Sequence, residues 1–256
     1  MNQSANASKE TKKDRRLAAR EAMKQQREAE LKKKKRIRNI VIAVAIALAL
    51  LIVGGIGFAI YKSNEKPVIS EASSDFSKVE YLHFGATKDK PVVDVYVDFL
   101  CPYCAMFAES QMDQLQKMAA DKEIDLRIHP RMMLEQYSNP PGYSSRAANA
   151  AVAVYKQDPN KYFAFEKLLF ENQPEEGSAG LNDEQLADLA KKAGADETAL
   201  KEIKDGVHVP WLKSKVEAEA YKSTSGTPTV KINGKIWEGR PDDAAALKQA
   251  IESASK

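Results

Sequence analysis

Two cysteines occur in the 256 residues, and they stand two apart in Cys101-Pro102-Tyr103-Cys104. A bridge across so short a loop removes little entropy from the unfolded chain, so as a structural staple it would stabilise little compared with one closing a long loop. The pair suits chemistry better, passing between dithiol and disulfide by thiol exchange. Zinc, the competing use of paired cysteines, requires four ligands. His83, His129 and His208 are scattered without the paired spacing of a zinc site, so no metal is expected. A C-x-x-C that does not stand where a strand meets a helix is incidental, which turns attention to the flanking elements.

The segment ahead of the motif, Pro91 to Val97, is rich in β-branched residues. Val93, Val95 and Val97 fall on one face and Asp94 and Tyr96 on the other, as a strand requires. From Pro102 onward, Phe107, Met112, Leu115, Met118 and Ala119 recur at helical spacing, so the motif sits where a strand hands over to a helix. Val79 to Phe84 and Ile124 to His129 read as further strands. Ser144–Gln157, Tyr162–Asn172, Asp183–Ala193 and Glu197–Lys204 read as helices with no strand between them. Asn182 ahead of an acidic first turn marks one helix start, and Gly194 marks the end of the same helix. Asn233-Gly234 between Thr227–Ile232 and Lys235–Trp237 is a strong hairpin signal. Asp242 to Ala254 closes the chain as a helix. The order of elements is that of an α/β domain.

A helix start presents unpaired N–H groups and the positive end of the macrodipole, and both favour an ionised thiol. Cys101 holds that place and is expected to be the exposed nucleophile of low pKa. Cys104, one turn on, is expected to be the buried resolving thiol. Pro102 suits the first helical turn because its missing N–H would have had no helical partner. Tyr103 carries no positive charge, so less depression of the Cys101 pKa is expected than a histidine there would bring. Asp98, three residues before Cys101, reads first as a strand-end or helix-start cap. Trp237 reads as core rather than as a platform for substrate.

The compartment decides what a dithiol does. Ile40 to Ile60 is a run of 21 uncharged, nearly all apolar residues, the length needed to cross a bilayer as a helix. The run is too long for a signal peptide, no small-x-small cleavage site follows it, and no nearby cysteine suggests a lipoprotein. Of the 39 Lys+Arg and 36 Asp+Glu, 14 and 5 fall within residues 1–39, leaving 25 and 31 beyond. The basic segment is expected in the cytoplasm, in contact with anionic lipid heads, and everything after Tyr61 outside. The mildly acidic remainder argues against nucleic acid as a partner. Residues 61–77 are polar and aperiodic and read as a tether. Residues 78–256 are enough for one domain with an insertion.

The strand followed by Asp98-Phe99-Leu100-Cys101-Pro102-Tyr103-Cys104, with Gly226-Thr227-Pro228-Thr229-Val230 far downstream, resembles the thioredoxin superfamily. The 124 positions from Cys104 to Pro228 make the chain similar to the DsbA-like thiol:disulfide oxidoreductases, in a membrane-anchored actinobacterial form. The resemblance implies a thioredoxin fold with a helical insertion at about 135–220, preceded by a single transmembrane helix. It implies that Cys101 is the nucleophile, that Cys104 resolves, and that Thr227-Pro228 is a cis peptide whose backbone binds substrate. No cofactor beyond the Cys101–Cys104 pair is implied. Relatives often carry a buried acid six residues before the first cysteine. Val95 stands there, and Asp98 or Asp94 could substitute for it.

The expected activity is introduction of disulfides into reduced exported proteins, with re-oxidation by a quinone-linked membrane enzyme. An extracytoplasmic reductase or isomerase and a non-catalytic binding adaptor remain the alternatives at this point.

Overall fold

The computed structural model describes residues 75–86 and 88–255, together with Lys32 and Lys35. The chain divides into Met1–Lys66 and Pro67–Lys256. In the first unit Lys32 and Lys35 are helical. The anchor expected over 40–60 lies outside the described residues, as does most of the basic tail and of the tether. Among the described residues no helix is long and apolar enough to cross a membrane.

The second unit is built on a five-stranded sheet in the order β1-β3-β2-β4-β5. Its strands are β1 (Leu82–Gly85), β2 (Val92–Val97), β3 (Asp125–Pro130), β4 (Thr229–Ile232) and β5 (Lys235–Ile236). β2 and β3 run parallel, while β1 on β3, β4 on β2 and β5 on β4 are antiparallel. The register sets Leu82, Ile128 and Val95 in one row and Phe84, Leu126 and Val93 in the next. All six are fully buried, and each contributes about 1.5–3 kcal/mol of apolar transfer energy. The β4–β5 turn is the expected Asn233-Gly234, with both residues at positive φ as a hairpin of this type requires.

After β2 the chain enters α1 (Pro102–Phe107), a π-helical turn at Ala108–Met112, and α2 (Asp113–Ala120). The π turn brings Ser110 and Gln111 onto one acceptor: Ser110 Oγ at 3.0 Å and Gln111 Nε2 at 2.9 Å both donate to the Pro241 carbonyl. Such turns often mark functional sites. Here it ties the motif helix to the loop after β5.

Between β3 and β4 lie a 3₁₀ turn (Glu135–Tyr137), α3 (Tyr143–Gln157), α4 (Pro159–Glu171), α5 (Asp183–Lys192), α6 (Glu197–Asp205), α7 (Val209–Trp211), a π turn (Leu212–Glu217) and α8 (Ala218–Ser223). This is the helical insertion. α5 starts on the Asn182 capping box with Gln185, and Gly194 follows its end at φ +92°. The helical stretch of Val209–Ser223 carried no signal singled out in the sequence. It closes the domain through Arg131, which is 1% exposed and forms a bidentate pair with Glu217 at 2.9 Å on both arms. α9 (Ala244–Ala254) covers the sheet through Leu247 and Ile251. Phe76, placed by the sequence in the tether, packs with tilted rings 4.5 Å from Trp211, so the folded part begins before Lys78.

Candidate active site

β2, the central strand, ends at Val97 and delivers Asp98 just beyond its C-terminal end, and the chain turns through Phe99 and Leu100 into α1. Cys101 is the N-cap of α1 in extended conformation (φ −75°, ψ 119°), with Pro102 at the first helical position. Its carbonyl already accepts the amides of Cys104 (3.0 Å) and Ala105 (3.2 Å). The sequence placed Cys101 at a helix start, and it stands there. The expectation of an exposed sulfur is corrected: Cys101 is 5% exposed. The loop before β4 closes over it, and Cys101 Sγ donates to the Thr227 carbonyl at 3.3 Å. Thr227-Pro228 is a cis peptide, a feature the sequence carried only through resemblance. Asn139-Pro140 is a second cis bond, which nothing in the sequence announced.

Both cysteines are free thiols. The Cys101 pKa is pulled from 9.0 to about 6, chiefly by a hydrogen bond from the Cys104 thiol. Burial opposes this, and a donor on the Thr227 side chain and the amides of Cys104 and Tyr103 reinforce it. The Thr227 carbonyl, an acceptor, by itself favours the neutral thiol; the donors outweigh it. Cys104 is fully buried, and burial pushes its thiol up. The Asp98 amide donates to its sulfur at 3.4 Å. The two thiols are thus held far apart in acidity one turn from each other.

Asp98 is where the structure departs most from the first reading of its residue. It does not cap α1, whose N-cap carries no side-chain cap bond. Its fully buried carboxylate accepts the amides of Leu100 (2.9 Å) and Leu134 (2.8 Å) and the Ser144 hydroxyl (2.8 Å). Burial raises its pKa to about 6, with the Cys101 charge pushing the same way and the three donors resisting. Val95, at the place where relatives carry an acid, is a core residue, and Asp94 faces away onto His129 at 2.9 Å. Asp98 is therefore the buried acid beside the motif.

Tyr103 is 63% exposed and Met106 43%. Phe107, Thr227, Pro228, Ile236, Trp237 and Pro241 line a groove of roughly 330 Å³. Trp237 does both jobs weighed for it: its ring packs partly on the core and also forms groove wall, lying so close to Gly239 that a Cβ there would sit 2.0 Å from it. The three histidines stand away from the motif, His83 against Asp125, His129 against Asp94 and His208 against Glu202.

Sequence reasoning missed Gln173, whose side-chain amide donates at 3.0 Å to the carbonyls of both Phe99 and Cys101. It missed Ser144 as well. These contacts span 46 to 74 positions, and no local pattern carries them.

Comparison with known proteins agrees with this geometry. Residues 77–253 match the family model described as Thioredoxin. The chain is 32% identical over 163 residues to the serine/threonine-protein kinase PknE of Mycobacterium tuberculosis, matching 60% of this chain but spanning only 28% of the kinase's length. It is 29% identical to disulfide bond formation protein D of Bacillus subtilis, covering 66% of this chain and 74% of that protein. Oxidised DsbA of M. tuberculosis superposes with a TM-score of 0.58 at 27% identity, covering 68% of this chain and 92% of the other. With the acidic thiol, its buried partner and the Thr227-Pro228 loop in one place, the chain belongs to the thioredoxin family, among its DsbA-like thiol:disulfide oxidoreductases.

Proposed function

We propose that this protein is a membrane-anchored, extracytoplasmic disulfide oxidase, with Cys101 as nucleophile, Cys104 as resolving thiol and Thr227-Pro228 as the substrate-binding loop. The observation that carries the proposal is the acidity of Cys101, held at about 6 beside a Cys104 thiol pushed upward. A stabilised Cys101 thiolate stabilises the dithiol form, which makes the disulfide form the stronger oxidant. A reducing dithiol of this fold keeps its first thiol less acidic, at about 7.

In the oxidised protein a substrate thiolate attacks Cys101 Sγ. The Cys101–Cys104 bond breaks, a mixed disulfide forms, and Cys104 leaves as the thiolate. Cys104 sits in a buried site that disfavours its charge, so it takes up a proton, and Asp98 in its buried site is the acid at hand. The substrate's second thiolate then attacks the mixed disulfide, leaving Cys101 as the thiolate. Two electrons have passed from substrate to protein. The exposed Tyr103 and Met106 and the groove by Trp237 offer apolar surface to an unfolded substrate, and main-chain pairing at Thr227 makes recognition independent of sequence. Restoring the disulfide calls for an acceptor of two electrons, for which a quinone-linked membrane enzyme is the proposed partner. The apolar run Ile40–Ile60 behind a basic tail supports the anchored, outward-facing topology.

The test is direct. Oxidised full-length protein in detergent is mixed with a reduced two-cysteine substrate, and the Cys104→Ser variant is used to trap complexes in cells. Substrate oxidation together with exported proteins held on Cys101 is the expected result. A Cys101–Cys104 pair found mostly reduced in intact cells would refute the oxidase reading in favour of a reductase or isomerase.

A further inference from the structure

Gln173 belongs to the helical insertion, two residues past α4, yet its side chain bonds into the active-site turn. Phe170, on the last turn of α4, packs 5.4 Å from Phe99 and brings the insertion against that turn. Phe99 is fully buried, so its carbonyl needs a donor from the protein, and the Gln173 amide supplies one at 3.0 Å. The same nitrogen donates to the Cys101 carbonyl at 3.0 Å. On its other side, the Cys101 amide is held by the Asp98 carbonyl at 3.1 Å, and the Leu100 amide by the Asp98 carboxylate at 2.9 Å. Both peptide planes flanking the Cys101 Cα are therefore tied, one to Asp98 and the other to Gln173 together with the helix's own Cys104 and Ala105 amides.

This matters because Pro102 has no N–H. The backbone donors left to the Cys101 sulfur are those of Tyr103 and Cys104, and how well they point at it depends on the backbone angles of Cys101. We infer that Gln173 is a positioning residue for the Cys101 thiolate, a donor lent by the helical insertion that holds the N-cap carbonyl so that the first-turn amides face the sulfur. It touches neither sulfur nor substrate. The insertion then sets the acidity of the nucleophile from outside the thioredoxin core.

The inference rests on Cys101 being the acidic thiol, and the experiment reads that acidity without reference to the direction of electron flow. Reduced full-length protein is titrated by the ultraviolet absorbance of the thiolate, with the rate of alkylation as a second readout. In Gln173→Ala the Cys101 pKa rises by about one unit, a tenfold loss of thiolate relative to thiol. Gln173→Glu, whose carboxylate cannot donate to either carbonyl, rises at least as far. Gln173→Lys restores a donor of sufficient length and titrates at or below the wild-type value. Should Gln173→Ala fold poorly, Gln173→Met, of similar length and with neither donor nor charge, still decides by rising as Ala does, because Glu and Lys also shift the thiol in opposite directions through their charge alone. The inference is overturned if the three variants titrate with the wild type while only their unfolding midpoints move, since Gln173 would then be a structural tie. A protein that failed to oxidise substrate but showed this series would refute the oxidase reading and leave the role of Gln173 standing.

Discussion

Removing the Cys104 thiol should raise the Cys101 pKa even though Cys101 itself is untouched. The hydrogen bond from Cys104 is the largest contribution to the fall from 9.0 to about 6. A hydrogen bond to a charged group is worth about 1.5–3 kcal/mol, which at about 1.4 kcal/mol per unit is one to two pKa units. Cys104→Ala therefore moves Cys101 to about 7–8, whereas Cys104→Ser keeps an O–H donor and stays near the wild type. The same shift sets redox balance. At about pH 7 a group of pKa about 6 is some ten parts thiolate to one part thiol, while one of 9.0 is about one part in a hundred. The reduced form gains about 1.4 kcal/mol from this, or about 30 mV. Because the folded pKa lies below the ordinary value, the gain is complete above about pH 9 and lost as pH falls through about 6. The assay is thiolate absorbance against pH for the two variants, with the reduction potential of the wild type followed over the same range. If the Ala and Ser variants titrate together at the wild-type value, the Cys104 thiol is not what holds Cys101 acidic, and the reasoning fails.

Three further outcomes follow from the same geometry. Asp98 is raised from 3.8 to about 6 by burial, so its contribution to stability is greatest below its ordinary pKa and is lost as pH rises through about 6. Asp98→Asn should flatten the decline in thermal stability across that window and lower the Cys101 pKa, because a negative neighbour is removed. Tyr103 is exposed two residues after Cys101, and Tyr103→His should lower the Cys101 pKa below about pH 6, where the imidazole is charged; a potential unchanged at that pH would contradict it. Arg131→Met leaves the Glu217 carboxylate buried without its bidentate partner and should cost about 3–5 kcal/mol in urea unfolding. The double variant with Glu217→Leu should recover most of that loss, and a double as unstable as the single would count against the ion pair as the cause.

Much of this molecule was written locally. The alternation of Pro91–Val97, the helical spacing after Pro102, the Asn182 start, and the Asn233-Gly234 turn are short-range patterns, and each element formed within a few residues of where its pattern lay. The chemistry of the motif was legible for the same reason, since a thiol at a helix start acquires its donors from the next three residues of its own chain. The tertiary structure decided what neighbours from elsewhere impose. Local sequence assigned Asp98 to a cap; the Leu134 amide and the Ser144 hydroxyl, arriving from 36 and 46 positions away, make it a buried acid. Local sequence exposed Cys101; the Thr227 carbonyl, 126 positions on, covers it. Gln173 and Arg131 have no signature at all, because a donor aimed at a distant carbonyl or carboxylate leaves no period in the chain. Periodicity reports which way a residue faces, and only packing supplies what it meets there.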